Sequence, residues 1–394
     1  MNSLPLQDWM RDPAVVAVMA ALGRARFVGG AVRDAVLGRP VADIDIATPL
    51  TPQETMTALT AAGLKYAPTG VEHGTITAIA GGKGFEVTTL RRDVETDGRR
   101  AVVAFTDDWS EDAQRRDFRL NALYLDAEGA LYDPVGGGVE DALAGRVVFV
   151  GDARTRIRED YLRALRFFRF RAWYGRDEPD AEAVAAVSEL KAGIANLSGE
   201  RVSKELLKLL AAPEPRPAVR LAAETGVLAV ALPEVNDLAR FDAMVGIDPD
   251  PVLRLAALLP DLDSALAVSE RLRLSNVQRE RLRAALAEGE RLSPGLDAPA
   301  LRRRLYAWGA PSFRDRVKLA WASAGGEGWA ELLEPAEGWV RPQLPISGAD
   351  AQAVGIAPGP AMGQALKAAE AWWIEQDFKP GRPEVLARLK ALAG

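Results

Sequence analysis

The feature that most restricts the fold is a change of pattern near residue 150. Before it, runs such as GTITAIA, GFEVTTL and ALYLD are strand-like and are broken by Gly and Asp turns. After it the chain is rich in Ala, Leu, Arg and Glu, and strand signals almost vanish. The first 150 residues therefore read as an α/β or α+β domain, and the rest as helical. Gly-, Pro- and Asp-rich breaks at 174–180, 211–217, 246–251, 292–299 and 340–348 divide the helical part further. The expected division is 1–150, 151–215, 216–340 and 341–394. With 394 residues and 48% hydrophobic content the chain can bury a sizeable core.

Composition narrows the chemistry. The chain has no cysteine and one histidine, which excludes disulfides, zinc–thiolate sites, iron–sulfur clusters, cysteine nucleophiles and histidine-rich phosphohydrolase centres. Any metal must be held by carboxylates and water, which favours a hard cation such as Mg²⁺. His73, isolated in GVEHGTIT, reads as structural. No apolar run approaches the roughly 18 residues of a membrane span, and the first residues lack a signal-peptide pattern, so a cytoplasmic location without membrane attachment is expected. The net charge of -6 argues against a polyanionic partner, yet residues 151–176 hold eight arginines against three acids. That is a strongly basic island in an acidic protein.

In VADIDIAT the alternation is strand-like, and a strand points residues i and i+2 to one face. Asp43 and Asp45 would then project together and repel unless a cation lies between them, which makes both candidate Mg²⁺ ligands. A lone D-x-D is as easily a solvated strand end. Upstream, however, Gly29-Gly30 opens a short apolar-striped helix, AVRDAVLG. Glycines admit close backbone approach, and a helix start offers free N–H groups to phosphate. Arg33 adds a mobile cation. A nucleoside triphosphate on the glycine turn, with Mg²⁺ on the aspartates, accounts for the whole stretch.

The stretch GGAVRDAVLG…ADIDIAT resembles the signature of class II tRNA nucleotidyltransferases and bacterial poly(A) polymerases, of the polymerase β nucleotidyltransferase superfamily. Four further motifs follow in order: DAQRRDFRLNALYLD (112–126), YDPVGGGVEDALAGRV (132–147), RIREDYLRALRFFRF (156–170) and SGERVSKELLKLL (198–210). The resemblance spans roughly the first 210 residues. It implies an α+β nucleotidyltransferase head, with a small mixed sheet and helices, followed by an all-α neck, body and tail. It also implies catalytic carboxylates at Asp43, Asp45 and, from a neighbouring strand, Glu86.

In the second motif the guanidinium forks of Arg115 and Arg116 suit a ribose or triphosphate, or else form a surface ion-pair cluster. By resemblance Arg116 contacts the nucleotide while Asp117 and Asn121 shape the site. Arg119 stands where the family usually has threonine. In the fourth motif Asp160, Arg163, Arg166 and Arg169 recur every three residues, drifting around one helix face. That is either a solvated face or, for Asp160 and Arg163, an acceptor and donor matching the Watson–Crick edge of a base. The resemblance makes that pair a protein template for CTP or ATP, with Arg166 and Arg169 along the nucleotide. The charged segment 91–100 reads as a mobile loop, which in the family takes part in switching from CTP to ATP.

The implied activity is template-independent addition of C, C and A, from CTP and ATP, to the 3′ end of tRNA, with two Mg²⁺ ions assisting and pyrophosphate leaving. A poly(A) polymerase, an enzyme adding only the terminal A, and a non-catalytic RNA- or nucleotide-binding protein remain as alternatives. In the C-terminal helices, arginines at 271–286 and 302–309 can follow an RNA backbone by charge, and tryptophans can stack or fill the core.

Overall fold

Alternation builds the sheet. Along Thr75–Ala80 every second residue is buried, and along Lys83–Thr89 Phe85, Val87 and Thr89 are buried while Glu86 stays in solvent. This is the period of two expected of strands with one wet face. The computed structural model describes residues 2–97, 100–176 and 178–393. It divides into two units, Met1–Pro233 and Glu234–Gly394.

The first unit contains strands β1 (Arg26–Val28), β2 (Asp45–Thr48), β3 (Lys65–Gly70), β4 (Thr75–Ala80), β5 (Lys83–Thr89), β6 (Arg91–Asp97), β7 (Arg100–Phe105), β8 (Tyr124–Leu125) and β9 (Leu131–Tyr132). Seven form one mixed sheet in the order β3-β4-β5-β2-β1-β8-β9, and β6 pairs only with β7. Within the seven-stranded sheet only β2 and β5 run parallel. A parallel pair needs a crossover, supplied by helix Pro52–Ala61 and the β3–β4 hairpin. That helix starts cleanly because Thr51 and Glu54 form a reciprocal capping box ahead of Pro52. Phe27, Ile46, Ile76 and Val87 fill the sheet's apolar side.

Helices α1 (Pro13–Leu22), α2 (Gly30–Val36) and α3 (Pro52–Ala61) lie within the sheet region, followed by α4 (Trp109–Gln114) and α5 (Gly138–Ala144). Then come α6 (Ala153–Glu159), α7 (Leu162–Tyr174), α8 (Ala181–Leu190) and α9 (Gly199–Leu210). This is the expected α+β head with helices after it. The sequence break at 150 falls inside one packed unit, for a physical reason. Phe118 and Phe149 from the head interlock with Phe167 and Phe170 of α7, with ring centroids 4.7 to 6.1 Å apart. Burying those rings joins the head to α7.

Three local expectations need correction. Strand β2 begins at Asp45, so Asp43 precedes the ladder rather than sharing it; beyond Asp45 the strand is buried on both faces, as a central strand is. Asp160 lies outside the helix, with extended φ of -155°, and α7 begins at Leu162. The expected loop 91–100 is mostly β6, laddered to β7; residues 98 and 99 lie outside the described residues.

The second unit is helical. Its tryptophans fill cores: Trp329 packs with Leu305, Phe313 and Val317, and Trp373 with Tyr306, Ile346 and Leu389. Many of its arginines are paired internally. Arg271 meets Glu234, Arg281 meets Asp250 and Asp315, Arg283 meets Glu280, and Arg302 meets Asp377. Charge spacing alone therefore overstates what these helices offer an RNA. Among the described residues no helix is long and apolar enough to cross a membrane.

Candidate active site

Parallel register sets Asp45 opposite Glu86 on β5, so the two carboxylates occupy neighbouring positions on one face. The Asp45 carboxyl is raised above its usual range first by desolvation, then by Glu86 and by Asp43, with Arg116 acting the other way. Solvent reaches all three side chains, so their repulsion is partly screened. Among the described residues no three acidic or histidine side chains already close into a metal cage. An open, all-oxygen set suits Mg²⁺, which takes one or two carboxylates and completes its shell with water and phosphate oxygens.

The glycine turn lies beside this ladder. Gly29 has φ of 67°, a conformation that glycine alone adopts without strain. A Cβ at Gly29 would stand 3.7 Å from Arg116 Nη1, so the turn and that guanidinium are neighbours. Gly30 opens α2. Arg33, expected to be mobile, is instead buried and fixed. Its Nη1 donates to Asn121 Oδ1 at 2.6 Å, its Nη2 to the Tyr174 hydroxyl at 2.5 Å, and Asp34 holds Nε at 3.0 Å. A cation this far from water needs such partners.

Arg116 is held by Asp112, a fully buried carboxylate that accepts from Arg116 Nη2 at 2.8 Å, from Arg115 Nη2 at 2.7 Å and from the Tyr124 hydroxyl at 2.6 Å. Desolvation alone would raise the Asp112 carboxyl, but Arg116, Arg115 and Tyr124 outweigh it and hold it well below the usual range. Asp112 thus fixes both forks of the second motif.

A second buried chain of hydrogen bonds runs from the head to α7. Asp117 accepts from Arg166 Nε at 2.7 Å and from Asn121 Nδ2 at 3.2 Å, and Asn121 in turn accepts from Arg33. Buried Glu205 of α9 adds ion pairs to it, 2.7 Å from Arg169 Nε and 3.8 Å from Arg166 Nη1. Desolvation depresses the Arg169 guanidinium more than Glu205 sustains it. Asp117 and Asn121 are therefore spacers that set Arg166 and Arg33.

Asp160 and Arg163 are separately anchored. Asp160 Oδ1 accepts from the Leu162 amide at 3.1 Å and Oδ2 from Arg201 Nη2 at 2.7 Å. Arg163 donates to Glu159 at 2.5 Å, to the Arg156 carbonyl at 3.1 Å and to the Arg115 carbonyl at 2.9 Å. The last bond ties the fourth motif to the second.

The departure at Arg119 has a structural account. Its Nε lies 2.7 Å from Asp141 Oδ2 of the third motif, and Asp141, fully buried, also meets Arg146 at 3.0 Å. Arg119 pins α5 to the second motif. The His73 ring is exposed, and its carbonyl accepts from Arg91 at 2.6 Å. Sequence reading assigned no role to Tyr174, Arg201 or Glu205, although Arg201 and Glu205 lie inside the fifth motif, 198–210. Their partners lie 141, 41 and 36 positions away, so spacing gave no signal. Asp112 did lie inside a quoted motif, and its placement three and four residues before two arginines was the available clue.

A family profile described as Poly A polymerase head domain matches residues 25–148, and one described as a probable RNA and SrmB-binding site of polymerase A matches residues 178–238. The mitochondrial CCA tRNA nucleotidyltransferase 1 of Mus musculus is 36% identical over 386 residues, covering 93% of this chain and 86% of its own. The CCA-adding enzyme of Geobacillus sp. (strain WCH70) is 42% identical over 216 residues, covering 54% of this chain and 52% of its own. The crystal structure of the Bacillus stearothermophilus CCA-adding enzyme in complex with CTP superposes with a TM-score of 0.79 at 27% identity, over 98% of both chains. Likeness to the mouse protein over 93% of this chain and 86% of its own, at 36% identity, places this chain in the CCA tRNA nucleotidyltransferase family, whose head is shared with poly(A) polymerases.

Proposed function

We propose that the chain completes tRNA 3′ ends by adding C, C and A from CTP and ATP without a nucleic-acid template. The observation that carries this reading is the Asp45–Glu86 register pair beside the Gly29 turn and Arg116. Asp43 and Asp45 would hold Mg²⁺, with Glu86 as the third carboxylate; the donor set is all oxygen, and the raised Asp45 carboxyl is the mark of a site that a cation relieves. An ion bound there supplies charge neutralisation at the reacting phosphate.

The remaining work falls to the protein's own groups. Gly29 and Gly30 let backbone N–H groups approach the triphosphate, and Arg116, held by Asp112, offers Nη1 beside them. Arg166 and Arg169 line the nucleotide, set by Asp117 and Glu205; Asn121 keeps Arg33 and Asp117 in register. Asp160 accepts from the exocyclic amine of cytosine or adenine, while Arg163 donates to the adjacent ring nitrogen. With the base so placed, the tRNA 3′-hydroxyl attacks the α-phosphate, its proton passes to a carboxylate of the ladder or to water, and pyrophosphate departs. Residues 1–150 form the head, 151–215 the neck that reads the base, 216–340 the body and 341–394 a tail for tRNA. A cytoplasmic location completes the proposal and is checked by fractionation.

The test is incubation with tRNA lacking its 3′ CCA, given CTP alone, ATP alone, or both. The reading expects two cytidines from CTP and a terminal A only when both are present. Unlimited ATP addition to arbitrary RNA without use of CTP would replace it with a poly(A) polymerase. Inactivity until both cytidines are in place would identify an enzyme adding only A.

A further inference from the structure

An acceptor that discriminates between bases must be fixed in direction, because a carboxylate free to rotate can turn away from the wrong base instead of rejecting it. Asp160 sits between α6 and α7 in extended backbone. Its orientation comes from two donors. The Leu162 amide holds Oδ1 at 3.1 Å, and Arg201 Nη2, from the first turn of α9, holds Oδ2 at 2.7 Å. The amide is that of the first residue of α7, only two positions along the chain. Arg201 lies 41 positions along the chain on a helix packed against α7, so it fixes Asp160 relative to the neck.

We propose that Arg201 is a positioning residue for base selection, holding Asp160 so that one lone pair of its carboxylate is aimed at an incoming exocyclic amine. This rests on the base-edge reading of Asp160. Each carboxylate oxygen has two acceptor sites, so Arg201 and Leu162 leave one on each oxygen for the nucleotide. Cytosine and adenine present an amine there; uracil and guanine present a carbonyl, which a fixed carboxylate repels. Arg163 is locked independently by Glu159 and two carbonyls, so the donor half of the pair does not depend on Arg201. Loss of Arg201 therefore loosens one half of the reader.

The test compares Arg201→Ala, Arg201→Lys and Asp160→Ala in the full chain, measuring kcat and KM for CTP and for UTP on tRNA lacking CCA. Arg201→Ala is expected to lower the CTP over UTP ratio of kcat/KM about tenfold or more, with tRNA affinity within about twofold of wild type. Arg201→Lys, which keeps a donor and charge but loses the fork, is expected to recover part of that ratio and serves as the reading if the alanine variant folds poorly. A ratio unchanged in both Arg201 variants but lost in Asp160→Ala overturns the positioning role and leaves the base-edge reading standing. A ratio unchanged in Asp160→Ala overturns the base-edge reading itself, and the role of Arg201 with it.

Discussion

Asp45 and Glu86 are register partners across the one parallel strand pair of the sheet, β2 and β5, and each stands in solvent above a buried apolar row. Strand order thus brings together two carboxylates 41 positions apart without any local motif. Removing either should uncouple chemistry from binding. Asp45→Ala and Asp43→Ala are expected to lower single-turnover nucleotide transfer by about 10³-fold or more while tRNA retention in a gel-shift assay stays near wild type. Near-normal turnover in both would overturn the metal assignment.

Glu86→Gln separates function from stability. Without the ion, Glu86 repels Asp45, so the metal-free variant is expected to gain stability, by less than about 1 kcal/mol because both side chains reach solvent. Transfer should fall meanwhile. Urea midpoints in chelator, beside incorporation rates, give both numbers; a loss of stability would contradict the repulsion.

Asp112 gives an acid-side prediction. Its folded value is depressed, so its contribution is complete above the ordinary carboxylate range and is lost as pH falls through that range toward the lower folded value. Asp112→Ala leaves Arg115 and Arg116 unpaired and should cost about 3–5 kcal/mol at neutral pH. The gap from wild type should narrow on acidification toward about pH 3. A gap independent of pH would assign the loss to packing alone.

Arg119→Thr introduces the residue that the motif resemblance leads one to expect. Asp141 would keep Arg146 but lose its nearer partner, so thermal unfolding should show a loss of about 1–3 kcal/mol. The expected kcat is within about twofold of wild type. A large fall in kcat with unchanged stability would give Arg119 a direct role at the nucleotide.

The β6–β7 ribbon tests terminal A addition. Replacing residues 92–104 with a short Gly-Ser turn is expected to leave addition of the two cytidines largely intact and to reduce A addition at least tenfold. Equal loss of both would make the ribbon a general support of the head.

Much of this was legible in sequence because it depends on local pattern. The alternation in GTITAIA and GFEVTTL marked strands, the glycine pair marked the turn, and Glu86 fell on the strand where a third carboxylate was sought. What stayed hidden depends on partners far apart in the chain. Arg33 reads as a surface cation until Asn121 and Tyr174 enclose it. Arg166 and Arg169 look like a free basic face until Asp117 and buried Glu205 are set against them. Even the helical phase misplaced Asp160, because the chain breaks between α6 and α7.

The phenylalanines shared by Phe118, Phe149, Phe167 and Phe170 also limit how such an enzyme can be recombined. A chimera cut at residue 150 would part Phe118 from Phe170 and Phe149 from Phe167 and would shear Arg163 from the Arg115 carbonyl. Grafts between relatives should therefore tolerate a junction near residue 233, where the two units part, far better than one at the end of the sheet. For this chain the exchangeable module is the sheet together with the helices packed on it up to residue 233, and the proposed base reader would be inherited with the proposed catalytic head.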